Sequence, residues 1–308
     1  MEKIESSLSP IARRHLIFGA LSLVAVLAFW KPLVALVEYS LSHESASHIL
    51  LIPLITLYLL YTERDRIFRS THFSVVSGAA AILIGIGLYL LANPSWASAE
   101  GNDVLVATTL SFVVIWLGAF LLCYGSRAAL AAAFPLLFLL LMVPLPEAVL
   151  AKSIYWLQQG STEIAYLLFK LVQVPVFRQG FILSLPSVSI EVAKECSGIR
   201  SSMALLITCL LAAHLFLRRR WKMTLFVLLA LPLAIIKNGI RITALTLLAI
   251  YVDPSFLTGN LHHDGGFVFF LLALAILAPI LFFLQKSERT SQSAKPIIPA
   301  ESGAAPGA

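Results

Sequence analysis

Long uninterrupted apolar blocks constrain this chain more than any other feature. Residues 74–92, 104–124 and 265–284 contain no Asp, Glu, Lys or Arg. About 18 or more such residues in a helix cross roughly 30 Å of hydrocarbon. The bias extends over the whole chain, which is 59% hydrophobic and 12% charged, with a mean hydropathy of +0.91. A soluble domain is closer to half apolar and a quarter charged. The sequence therefore predicts an all-α, polytopic membrane protein.

Eight spans are expected, at about 15–37, 47–62, 74–92, 104–124, 128–145, 199–217, 223–250 and 265–284. The first run is too long for the apolar part of a signal peptide and lacks a small-residue cleavage site, so it reads as a span. The formal net charge of +6 does not point to nucleic acid, because the basic residues fall at span ends. Lys3, Arg13 and Arg14 precede the first span, and Arg64, Arg66 and Arg69 follow the second. Arg127 follows the fourth, Arg218–Arg220 and Lys222 the sixth, and Lys286 and Arg289 the eighth. All of these share one side if both termini are cytoplasmic, and the segment 93–103, with no Lys or Arg, falls on the other. The expected organisation is one integral membrane domain over 1–286 and a disordered cytoplasmic tail over 287–308, rich in Ser, Ala, Pro and Gly.

A long outer segment, about 146–198, separates the fifth and sixth spans. Ile154, Leu157, Ile164, Leu167, Leu168 and Leu171 recur at helical spacing, interrupted by Gln158, Gln159, Glu163 and Lys170. This predicts an interfacial amphipathic helix, a connector or poorly inserted span being the plainer alternative. Two short β-type runs then flank Pro186-Ser187, which predicts a small hairpin leading into Cys196. Such a hairpin is also suited to binding an extended peptide by strand addition. The seventh span contains Pro232 and is too long for one straight crossing. Beyond the proline it carries Lys237, Asn238 and Arg241. Cations inside a span are expensive and usually face a polar interior.

Three cysteines are present, at spacings that suit neither a metal site nor a disulfide framework. Cys123 and Cys209 sit within apolar helices, where a small buried hydrophobe is the ordinary role. Cys196 alone has polar neighbours, in Glu195-Cys196-Ser197-Gly198-Ile199-Arg200-Ser201. Ser197 or Gly198 is positioned to cap a helix beginning near Ile199, and a helix start with nearby cations turns a thiol toward thiolate. Glu191 and Glu195 oppose that effect, while Lys194 and Arg200 favour it. A surface cysteine without a role is the bland alternative. Asn238 and Arg241 share a helix face. Arg241 is a fixed cation suited to an oxyanion or thiolate, or else a snorkelling arginine. His262-His263-Asp264 precedes the last span and offers an imidazole for proton transfer, or a polar boundary loop. Asp253 and Asp264 are possible orienting partners. By the expected topology the thiol, guanidinium and imidazole all lie on the outer side, where they form a set suited to acyl transfer.

These residues resemble the exosortase/archaeosortase family of membrane-embedded, sortase-like transpeptidases. The resemblance covers most of the membrane domain. It rests on Ser47-His48-Ile49-Leu50-Leu51-Ile52-Pro53-Leu54 and on Phe134-Pro135 through Pro144-Leu145-Pro146. It rests further on Gly180-Phe181-Ile182 through Ser201, on Asn238-x-x-Arg241, and on His262 four residues before Gly266-Phe267. It implies Cys196 as nucleophile, Arg241 as anion stabiliser and His262 as acid and base, chosen over His263 by that spacing. Asn238 and Arg200 would support the site. It also implies the substrates: secreted proteins ending in a Pro-Glu-Pro-like motif, a transmembrane helix and a basic tail. The location would be the inner (plasma) membrane, with the site on the periplasmic side.

Thiolate attack would give a thioester, which retains the acyl group in activated form. No cofactor or metal is expected, and the chain has no phosphate-binding loop. An amine or hydroxyl acceptor, or water, would then release the product. Two other classes stay open: a transporter of an anionic solute, built on a broken seventh span with Lys237 and Arg241, and a non-catalytic membrane scaffold.

Overall fold

The computed structural model describes residues 9–92, 102–257 and 266–293, and among these the chain is helical apart from one small sheet. It divides into two compact units, Met1–Trp156 and Leu157–Ala308. The expected all-α polytopic fold is present. Among the described residues six helical stretches are long and apolar enough to cross a bilayer. The bent pair Ala133–Met142 and Glu147–Leu171 makes a seventh if it is one span, and the shorter apolar helix Val75–Leu91 lies where the third of the eight expected spans was placed.

In the first unit α1 (Pro10–Ala28) begins at Ser9, whose side chain accepts the Ala12 N–H at 3.3 Å, with Pro10 at the first helical position. The first expected span does not run straight through. It stops at Phe29 and restarts as α2 (Trp30–Ser42). Pro32 explains the break, since its nitrogen has no proton for the Ala28 carbonyl and its ring crowds that carbonyl. Next come α3 (Leu51–Thr62), α4 (Arg64–Ile67), α5 (Val75–Leu91) and α6 (Asp103–Ala131). Gly78, Gly85 and Gly118 let α5 and α6 approach closely; a Cβ on Gly118 would stand 2.8 Å from Ile82 Cγ1.

Helix α6 kinks at Gly125, where φ is 84° and ψ 173°, which is the boundary expected between the fourth and fifth spans. The carbonyls near that kink are taken by residues from the basic segments. Arg14 donates to the Cys123 carbonyl at 2.8 Å, the His72 N–H to Tyr124 at 3.2 Å, and Arg66 to Ala131 at 2.9 Å. The basic ends of several helices thus meet at one end of this unit. The expected fifth span is not straight. It comprises α7 (Ala133–Phe138) and a 3₁₀ turn (Leu139–Met142), then turns by 91° into α8 (Glu147–Leu171). Pro144 and Pro146 prevent a helix from continuing through.

In the second unit the latter part of α8 is followed by β1 (Phe177–Gln179), β2 (Ile182–Ser184) and β3 (Ser189–Glu191). The expected hairpin is β2–β3. β1 adds to its other side, giving the antiparallel order β1-β2-β3. A 3₁₀ turn (Glu195–Ser197) leads into α9 (Ile199–Phe216), then α10 (Arg220–Tyr251), a 3₁₀ turn (Pro254–Leu257) and α11 (Gly266–Ser293). Leu205, Cys209 and Ala213 recur every fourth residue on α9, and Leu217 follows just beyond its end. They pack against Phe226, Ala230 and Ala234 of α10 and Ala273 and Leu277 of α11. Outward-facing positions stay apolar, as at Leu228, Leu231 and Phe283, which suits lipid rather than water.

Two expectations change in this unit. Helix α10 is continuous across Pro232, so the seventh span is not the broken helix on which the transporter reading was built. At about 1.5 Å per residue its 32 residues exceed the hydrocarbon thickness, so its ends project beyond it. Helix α11 runs to Ser293, past residue 286. Its Glu288 carboxylate is buried and accepts the backbone N–H groups of Arg218 and Arg219 at 2.9 and 3.0 Å. Lys222, also buried, donates to the Leu284 carbonyl and the Ser287 hydroxyl.

Candidate functional site

The second unit builds its polar centre from α8, the turn before α9, and α10. The starting point is close helix packing. Gly160 of α8 lies against Ile235 of α10, where a Cβ would come within 2.7 Å of Ile235 Cγ2, and Gly239 of α10 lies against Ile164 of α8. Small residues at a membrane helix crossing allow this approach. It places the neighbours of those glycines, Ser161 and Asn238, in contact: Asn238 Nδ2 donates to Ser161 Oγ at 3.0 Å.

The same Asn238 amide donates to the backbone carbonyl of Cys196 at 2.9 Å. Cys196 occupies the 3₁₀ turn, with its own N–H bonded to the Ala193 carbonyl at 3.0 Å, and is partly exposed. Helix α9 starts immediately after the turn. Of the two candidate caps the structure uses Gly198, at φ 74° and ψ 19°, with no side-chain cap. Ser201 and Ser202 turn back instead, their hydroxyls donating to the Gly198 carbonyl at 3.1 and 2.8 Å. Glycine is needed at 198 twice over. Its φ belongs to the left-handed region, and a Cβ would lie 2.9 Å from both Cγ and Oδ1 of Asn238.

Upstream, the segment entering the turn is tied to α8. Gln158 Nε2, buried, donates to the Val192 carbonyl at 2.8 Å. Glu163 pairs with Arg178 of β1. Leu183 and Leu185 pack with Ala165 and Phe169 of α8. The outcome for α8 differs from a simple apolar-side-down helix. Gln158, Ser161 and Thr162 are buried, while Leu167 and Leu171 are exposed. The inward side also carries Ala165 and Phe169, and the outward side also carries Lys152, Glu163 and Lys170, so both sides mix polar and apolar residues.

Lys237 is 2% exposed, and its ammonium donates to Ser201 Oγ in the first turn of α9. Arg241 lies one turn further along α10, half-buried. Arg200 is exposed at the start of α9. Around the cysteine turn, Ser197 Oγ and Asn238 Oδ1 are buried with no hydrogen-bond partner among the described residues. Asp253 accepts the Ser255 N–H at 2.7 Å, which holds its carboxyl below the ordinary value.

Of the sequence-predicted residues, the described contacts join Cys196 to Asn238. His262, His263 and Asp264 lie outside the described residues. Lys237 and Ser201 prove to be partners, which neither their spacing nor their types had indicated. Ser161 was missed altogether and Gln158 was read only as an interruption. The available signal was the polar stripe Gln158, Ser161, Thr162 at i, i+3 and i+4 in an otherwise apolar helix. Among the described residues no cluster of His, Cys, Asp and Glu has the makings of a metal site.

A comparison with protein families finds that the profile described as transmembrane exosortase matches residues 39–279. Neither a curated protein nor a solved structure matches the chain.

Proposed function

Because the chain belongs to the transmembrane exosortase family of membrane protein-sorting transpeptidases, we propose that Cys196 is the nucleophile with which it processes its substrates. Those substrates are secreted proteins carrying a C-terminal sorting signal: a Pro-Glu-Pro-like motif, a transmembrane helix and a basic tail. One observation carries the reading. Cys196 sits in a turn at the amino end of a membrane helix, its carbonyl held at 2.9 Å by Asn238 of the Asn238-x-x-Arg241 motif. That arrangement fixes the backbone from which the thiol projects, while the partial positive charge of the helix start lies beside it.

The reaction runs in two steps. The Cys196 thiolate attacks the scissile carbonyl carbon, forming a carbon–sulfur bond and an oxyanion that Arg241 stabilises. Collapse breaks the carbon–nitrogen bond. His262 gives its proton to the departing amine, leaving a thioester on Cys196. An amine or hydroxyl acceptor, losing its proton to His262, then attacks the thioester and releases the thiolate. The gain of the thioester is that the energy of the cleaved bond is kept for the transfer.

The proposed orientation places both termini in the cytoplasm and the site on the outer face of the inner membrane. The part of it that concerns the site draws support from the second unit. Cys196 and the Arg218–Arg219 pair flank opposite ends of α9, whose 18 residues measure about 27 Å, close to the roughly 30 Å of hydrocarbon. With the basic end cytoplasmic, the thiol emerges outside.

The test is co-expression of a tagged secreted protein bearing the three-part tail with the wild type and with Cys196→Ala. Processing is expected with the wild type and lost with the variant. Processing that continues with Cys196→Ala defeats the proposal.

A further inference from the structure

The small sheet ends on an open edge. In the β2–β3 ladder Ile182 faces Glu191, Leu183 faces Ile190 and Ser184 faces Ser189. Two bonds bracket it: the Val192 N–H donates to Phe181 O at 3.0 Å, and the Leu185 N–H to Val188 O at 2.8 Å. Antiparallel ladders alternate bonded and non-bonded pairs. Phe181–Val192, Leu183–Ile190 and Leu185–Val188 are therefore the bonded pairs. It follows that the N–H groups of Ser189 and Glu191, and the Ser189 carbonyl, point away from β2. β1 lies on the far side of β2 and does not cover them. The Glu191 carbonyl is already used by the Ala193 N–H at 3.0 Å.

Proteins normally blunt a free edge, and the other edge of this sheet is dressed: Arg178 of β1 reaches back to Glu163 and to the Gly180 carbonyl. Among the described residues no strand pairs with the outer edge of β3, and Ser189 and Glu191 are both exposed. β3 is also held rigidly. Leu183 and Ile190 pack toward Ala165 and Phe169, and Gln158 grips the Val192 carbonyl at 2.8 Å. A preorganised edge loses little entropy when a strand joins it. Glu191 precedes Cys196 by five residues, a separation of at most about 18 Å. A peptide docked on the edge needs about five further extended residues to reach the thiol.

We propose that the open edge of β3 binds an extended, unstructured segment of the substrate protein as a fourth strand, guiding its main chain toward Cys196. The proposal rests on the function proposed above and names how its substrate is gripped. The occupant follows from the donors. Two main-chain N–H groups, two residues apart on one strand, match the carbonyls of alternate residues of an extended peptide. The substrate's own N–H between them meets the Ser189 carbonyl.

The test uses proline where its missing N–H affects only the free edge. In the full-length protein in lipid nanodiscs, Ser189→Pro and Glu191→Pro each remove one outward donor and leave every β2 bond intact. Processing of the tagged substrate is expected to fall about 3- to 10-fold for each, the value of one net hydrogen bond. Ser189→Ala and Glu191→Ala, which keep the N–H, are expected to match wild type. Independently of these variants, a synthetic peptide spanning the segment before the cleaved bond competes against the substrate. N-methylation is expected to weaken it at every second residue only. Wild-type rates in stably folded proline variants, or a methylation profile without that two-residue period, overturn the proposal. Cys196→Ala, run alongside, separates the cases: its activity overturns the catalytic reading, whereas an inactive Cys196→Ala beside unaffected proline variants overturns the edge alone.

Discussion

Replacing Gly198 by alanine tests the packing around the cysteine turn most directly. At φ 74° an alanine costs about 1–2 kcal/mol for its left-handed backbone. Its Cβ would also stand 2.9 Å from Cγ and Oδ1 of Asn238, closer than a side-chain carbon tolerates. The Asn238 amide must shift, and its 2.9 Å bond to the Cys196 carbonyl is the one at risk. Loss of that bond adds about 1 kcal/mol, and more if the carbonyl stays dry and unpaired. The sum is about 2–4 kcal/mol, readable as a fall in unfolding free energy in mixed micelles. The turn also loosens, so Cys196 alkylation should change rate. A double-mutant cycle isolates the contact. With Asn238→Ala in the background, Gly198→Ala should cost only the backbone component, giving a coupling of about 1–2 kcal/mol. Additive effects, or an unchanged alkylation rate, would refute the argument that the glycine exists to admit Asn238.

Cys196 should react with a membrane-impermeant thiol reagent faster than Cys123 or Cys209, which are buried, as mass spectrometry of labelled protein will record; equal rates would contradict the exposure described. Glu288→Ala should lower unfolding free energy by about 3 kcal/mol, because the backbone N–H groups of Arg218 and Arg219 lose a charged, buried acceptor, and Glu288→Gln by about half as much. Asp253, its carboxyl lowered by the Ser255 N–H, helps hold the Pro254–Leu257 turn above the ordinary carboxylate pKa of about 3.9. That contribution is lost as pH falls through the lower, folded value, so amide exchange in the turn should quicken in acid, with Asp253→Asn removing the pH dependence.

The sequence by itself determined the class of fold, because bilayer thickness converts directly into a count of apolar residues. Blocks such as 74–92 and 104–124 have no alternative outside a membrane, and lysines and arginines at span ends mark one side. It also singled out Cys196 and Asn238, since a thiol among polar residues and an amide inside a span are both conspicuous by local contrast. Tertiary structure decided what local contrast does not carry. Whether Pro32, Pro144 and Pro232 interrupt a helix depended on position and packing: the chain breaks near the first two and runs through the third. Which side of α8 turns inward depended on its partners, for hydrophobic spacing cannot distinguish lipid from protein as the apolar neighbour. Gly160 and Gly239 set how near α8 comes to α10, and that distance makes Ser161, Asn238 and the Cys196 carbonyl one hydrogen-bonded group. A sequence lists the groups that can form such bonds. Only the approach of two helices, far apart along the chain, selects which of them meet.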